Sequence, residues 1–113
     1  MTKARSLSDF IESDGSVTLV DNQKIKVGTG NDLEIYHDSA TQNSFITESG
    51  AGSLKILGTN ILVKTADDAE VYIDCNANSS VDLYYDNSKK LETTSTGVDV
   101  TGTVATDNAE VGT

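Results

Sequence analysis

The sequence predicts an all-β chain of short antiparallel strands that completes its core against other copies of itself. Three observations point there: no proline among many Val, Ile and Thr residues, short apolar runs alternating with polar residues between turn signals, and a shortage of apolar bulk. Only 36% of the 113 residues are hydrophobic and 5% aromatic, with no Trp, against roughly 45–50% apolar in an ordinary soluble domain. The length suits one compact domain at most. Ordering each residue costs on the order of 1–2 kcal/mol, and a lone chain of this make-up buries little apolar area in return. Disorder would relieve the deficit, but it goes with few β-branched residues and no alternation. Burial against further copies fits the pattern better.

Residues 1–16 form the first zone. Leu7, Phe10 and Ile11 fall at i, i+3 and i+4, which suits a short helical turn with Ser6 or Ser8 as its N-cap. Asp14-Gly15 reads as the turn that ends it.

Residues 17–100 form the body. Val17 to Val20, Ile25-Lys26-Val27, Leu33-Glu34-Ile35, Phe45-Ile46, Leu54-Lys55-Ile56-Leu57 and Ile61-Leu62-Val63 are successive strand candidates. Val71-Tyr72-Ile73, Val81-Asp82-Leu83-Tyr84-Tyr85 and Val98-Asp99-Val100 complete the series. Turn signals separate them: Asp21-Asn22, Gly28-Thr29-Gly30-Asn31, Ser49-Gly50-Ala51-Gly52, Gly58-Thr59-Asn60, Asn76-Ala77-Asn78 and Asp86-Asn87. Short strands at a spacing of roughly 8–12 residues are the signature of a meander, sandwich or solenoid. Ala66-Asp67-Asp68-Ala69-Glu70 has helix-forming residues, yet Val71-Tyr72-Ile73 follows at once, so a turn leading into a strand is expected there. Residues 101–113, with only small apolar side chains, read as a weak terminal strand around Val104 or a tail.

The formal charge of −10, from 18 acidic and 8 basic residues, repels phosphate backbones and anionic bilayers, so neither nucleic-acid binding nor membrane insertion is expected. Cys75 is the only cysteine, which excludes an intrachain disulfide. Set after Val71-Tyr72-Ile73-Asp74, it reads as a small hydrophobe with no electropositive neighbour to form a thiolate. The N-terminus has Lys3 and Arg5 but no apolar run behind them, so it is not a signal peptide, and synthesis in a cytoplasm is expected.

Five constellations resemble ones that carry chemistry in other proteins. Asp74-Cys75-Asn76-Ala77-Asn78 with Asp82 partly follows a calcium-loop spacing. Ser79 stands where that loop needs Gly and Tyr85 where it needs Glu, so a polar hairpin loop is the expectation. His37, the only histidine, would meet its counterparts at a threefold axis or be simply hydrogen-bonded beside a turn. Asp67-Asp68, Asp82 with Asp86, and Glu34 with Asp38 are paired carboxylates without the Trp platforms of a sugar groove. Tyr36, Tyr72, Tyr84 and Tyr85 suit cross-strand packing more than carbohydrate contact. Gly28-Thr29-Gly30 is a turn, not a phosphate loop. No catalytic residues, metal or cofactor are expected, and the chain is read as non-enzymatic.

Leu33-Glu34-Ile35-Tyr36-His37-Asp38-Ser39 aligns with Val81-Asp82-Leu83-Tyr84-Tyr85-Asp86-Asn87, an internal echo that fits stacked β units. The stretch Asn31-Asp32-Leu33-Glu34-Ile35-Tyr36-His37-Asp38, together with Leu83-Tyr84-Tyr85-Asp86-Asn87-Ser88-Lys89-Lys90-Leu91-Glu92-Thr93 and Thr96-Gly97-Val98-Asp99-Val100-Thr101-Gly102, resembles repeats of tail fibres and other fibrous virion proteins of marine phages, cyanophages especially. The opening Met1-Thr2-Lys3-Ala4-Arg5-Ser6-Leu7 is similar to the starts of such proteins. The resemblance spans residues 20–102 and implies an elongated, intertwined homotrimeric β-fibre attached to the particle by a short N-terminal helical or irregular anchor.

On that footing Leu7, Phe10 and Ile11 are the candidates for docking onto another virion protein of the tail or capsid, or equally for a simple cap over the top of the trimer. Leu33, Ile35, Leu54, Ile56, Val71, Ile73, Val81 and Leu83 are the candidate trimer core. The expected location is the virion after assembly in the host cytoplasm, with host adhesion supported through a surface glycan or receptor. The sequence has no large receptor-recognising domain before Thr113, so a short fibre, a whisker or the anchoring part of something longer is expected. A capsid-decorating cement protein and a carbohydrate-binding or depolymerising module are the rivals.

Overall fold

The computed structural model describes residues 10–110 and residue 112. Its hairpins are set by side chains that tolerate a left-handed backbone. Every non-glycine residue of positive φ among the described residues is Asn or Asp except Gln42, the others being Asn22, Asn31, Asp68, Asn78, Asp86 and Asn87. These are the residues whose short polar side chains make such backbone tolerable.

Eight strands result among the described residues: β1 (Lys24–Val27), β2 (Leu33–Asp38), β3 (Asn43–Glu48), β4 (Asn60–Lys64), β5 (Val71–Asn76), β6 (Val81–Tyr85), β7 (Ser88–Thr93) and β8 (Val98–Val100). They form a three-stranded and a five-stranded sheet, each antiparallel and each in sequential order. The chain divides into two compact units between Lys55 and Ile56, one sheet in each, so the boundary falls inside the expected body of residues 17–100.

The all-β, antiparallel reading holds, and no helix occurs among the described residues. Where Phe10 and Ile11 were expected in a helical turn, Ile11 instead bridges to Val17 across a turn closed by Gly15 N–H donating to Glu12. Gly15, at φ 86°, supplies the left-handed position. Leu7 lies outside the described residues. The run Leu54 to Leu57 and the run Val17 to Val20 are not strands, while β7, unmarked by alternation, is one. The residues described after Val100 carry no strand.

In the first unit β2 lies between β1 and β3. Its register places Val27, Leu33 and Glu48 in one row and Ile25, Ile35 and Ile46 in the next, on one face. The other face carries Lys24, Tyr36 and Phe45. Tyr36 stacks on Phe45 at 5.0 Å between ring centroids, and the Lys24 ammonium sits 4.2 Å from the Tyr36 ring centre. The same ammonium pairs with Glu34, which raises its pKa. Tyr36 thus packs across strands, as its position suggested.

In the second unit the register aligns Val63, Ile73, Leu83, Leu91 and Val100 in one continuous row over all five strands. Ile61, Cys75 and Val81 form a second apolar row on the same face. The opposite face carries Leu62, Asp74, Asp82, Glu92 and Asp99 in register. No hydrophobic side chain is fully buried among the described residues. The one buried residue among those described is Asp82, at 3% exposure. Among the described residues, the apolar row of each sheet therefore lacks a buried core beneath it.

Candidate functional site

The acidic row arises because alternation along β5, β6, β7 and β8 is strict at Asp74, Asp82, Glu92 and Asp99. Like charges directly opposite across strands are destabilising, and one cation relieves them. Lys89 Nζ lies 3.0 Å from Asp82 Oδ2 and 2.9 Å from Glu92 Oε2. It reaches them through an irregularity. The β6–β7 register shifts after Leu83, so that Leu91 faces Leu83 while Lys89, two residues earlier, faces Tyr84. Unbroken alternation would put Lys89 on the side of Leu91; the bulge turns it to the acids, as bulges re-aim side chains elsewhere.

The Ser80 hydroxyl and the Lys89 ammonium hold the Asp82 carboxyl below its ordinary pKa, and Glu92 and Asp82 raise that of Lys89. Asp82 Oδ1 has no hydrogen-bond partner. Its carboxylate is covered by strand neighbours in a thin sheet, not sunk in a core. No group of three or more His, Cys, Asp or Glu among the described residues is arranged to hold a metal ion.

The segment with partial calcium-loop spacing is a polar hairpin: Ser79 N–H donates to Asn76 and Asn76 N–H to Ser80, with Asn78 left-handed. Asp74 and Asp82 pair across β5 and β6 instead of converging on that loop. Asp67 accepts from Thr65 Oγ1 at 2.6 Å and from Ala69 N–H at 3.1 Å, and these bonds lower its pKa. It is a turn-forming acid. Asp38 does the same for the β2–β3 loop through Thr41 and Ala40. His37 Nδ1 lies 3.0 Å from Ser44 Oγ across β2 and β3. That pair borders an open depression of about 420 Å³ over Leu19, Ile25, Ile35 and Ile46.

Of the residues expected in a shared core, Leu33 and Ile35 share the apolar face of the first unit, and Ile73, Val81 and Leu83 share that of the second. Val71 pairs with Lys64 after a register shift, out of line with Ile73. Leu54 and Ile56 lie outside any strand, at 45% and 67% exposure. Phe10 and Ile11 are both exposed. Sequence reasoning missed Leu91, which joins Leu83 to Val100 in the five-strand row, because Ser-Lys-Lys-Leu-Glu-Thr has no apolar alternation. The signal that would have found it is Asp86-Asn87. Both residues have positive φ in a two-residue loop between Tyr85 and Ser88, and such a turn demands a returning strand.

Comparisons with protein-family models, curated proteins and solved structures find no match to this chain.

Proposed function

We propose that this chain is a structural, non-enzymatic virion protein: a phage fibre, of tail-fibre or whisker type, that assembles as a homotrimer and supports host adhesion. The observation that carries the self-association is the missing core. Two sheets present aligned apolar rows, yet no hydrophobic side chain of the described chain is buried. Folding must offset the conformational entropy of ordering, and apolar burial is its main source of favourable free energy. Closed association of identical chains supplies that burial and pairs the sheet edges β1, β3, β4 and β8, which otherwise invite uncontrolled strand addition.

The fibre assignment rests on the resemblance of residues 31–38, 83–93 and 96–102 to phage fibre repeats. Exposed Phe10 and Ile11, with Leu7 before them in sequence, support attachment to a tail or capsid protein through the N-terminal end. The deciding experiment is to locate the protein in an electron-microscopy reconstruction of its particle. A few copies at a tail or a single vertex are expected; icosahedral copy numbers spread flat across capsomer junctions would replace the fibre reading with a cement protein.

A further inference from the structure

We infer that copies of this chain meet through the apolar face of the five-stranded sheet, with the acidic row of the same sheet turned to solvent. The inference rests on the homotrimer reading and specifies its contact surface. The face is the side of the row Val63, Ile73, Leu83, Leu91 and Val100, with Cys75 beside it. It holds no charged residue at any of these positions, and Val63, Leu83 and Val100 remain 41–45% exposed in the single chain.

Electrostatics chooses the face. Each copy carries −10, so copies approach only where their charges are kept apart. Contact through the opposite face would bring Asp74, Asp82, Glu92 and Asp99 of one chain against the same four of another. The lysines on that face are already paired, Lys89 with Asp82 and Glu92 and Lys64 with Asp68. Through the apolar face, the carboxylates of neighbouring copies point away from one another, and Asp74, Glu92 and Asp99 keep their access to solvent. A copy of the chain is also the partner present at matching concentration whenever the chain folds, and the absence of a buried hydrophobic core among the described residues makes cover a requirement of folding, not a later event. A sheet face five strands wide, at ~4.8 Å per strand, is about 24 Å across. A closed ring uses such a face against two neighbours at once.

Cys75, half-buried in the single chain and the only thiol, reports on this face without any substitution. The test is its reaction rate with Ellman's reagent on the full native chain, with mass from light scattering in parallel. Expected is an oligomer in which Cys75 reacts at least about tenfold more slowly than in urea. Leu83→Asp should drop the mass to that of one chain and expose the thiol. Leu62→Asp, the same change on the acidic face, should leave mass and protection intact. An oligomer with a fully reactive Cys75, or one that survives Leu83→Asp but not Leu62→Asp, overturns the face while leaving the trimer standing. A monomeric native chain overturns both. If Leu83→Asp fails to fold, thiol protection in the unmodified oligomer still decides.

Discussion

Replacing Asn87 tests how much of the second unit hangs on one turn residue. Asn87 holds φ 57° beside Asp86 at φ 48°, and its side chain does two further things. Oδ1 accepts from Val71 N–H at 3.0 Å, and Nδ2 donates to the Ala69 carbonyl at 3.2 Å. It therefore ties the β6–β7 hairpin to the loop before β5, 16 to 18 residues earlier. Asn87→Gly keeps the backbone conformation but removes both bonds, worth about 0.5 kcal/mol each at an exposed site. Asn87→Ala removes the same bonds and adds about 1 kcal/mol for a left-handed backbone with a Cβ. The expected losses are about 1 kcal/mol for Gly and about 2 kcal/mol for Ala. Urea unfolding followed by circular dichroism at one fixed protein concentration measures both, concentration being held because association shifts the midpoint. Equal losses for the two variants, or losses within the ~0.5 kcal/mol of an ordinary surface change, would refute the reasoning.

Stability should fall at both pH extremes. Asp14, Asp38, Asp67 and Asp82 have folded pKa values below 3.8, so their stabilisation is full above that value and is lost as pH drops through the folded ones. Lys24 and Lys89 are raised above 10.5, so theirs is full below it and lost as pH rises further. A thermal-midpoint profile across pH reads both edges, and a midpoint that keeps rising below pH 3.8 would contradict the assignment of these pairs. Lys89→Met should lower the midpoint more than Lys90→Met, since Lys90 is exposed and Lys89 serves two carboxylates; equal effects would deny Lys89 its role. Gly50→Ala would place a Cβ 2.8 Å from Glu48 Oε1 and 2.9 Å from Asp32 Cγ, for a loss of about 1 kcal/mol. Gly52→Ala meets nothing within 4 Å and should be silent in the same unfolding assay.

Much of the fold was legible because its punctuation is chemical. Asp14-Gly15, Asp21-Asn22, Asn76-Ala77-Asn78 and Asp86-Asn87 each mark a turn in sequence and each contain a residue of positive φ in the structure. Strands with alternating apolar residues, such as Leu33-Glu34-Ile35 and Val81-Asp82-Leu83, were legible for the same reason. Leu54-Lys55-Ile56-Leu57 misled because apolar alternation without a hydrogen-bonding neighbour is not a strand; pairing is a property of two segments, and the local sequence reports only one. The acidic row was invisible in sequence. Asp74, Asp82, Glu92 and Asp99 become neighbours only through register, and the bulge that brings Lys89 to them has no composition signal of its own.

The central claim is that this chain has no sufficient core alone and gains one from its own copies. Sedimentation equilibrium at micromolar concentration, with circular dichroism on the same samples, tests it most directly. The account predicts a species of three times the 11.9 kDa chain mass, whose β-signal disappears together with the association on dilution. A monodisperse 11.9 kDa species that keeps a full, cooperatively melting β-signal would contradict it.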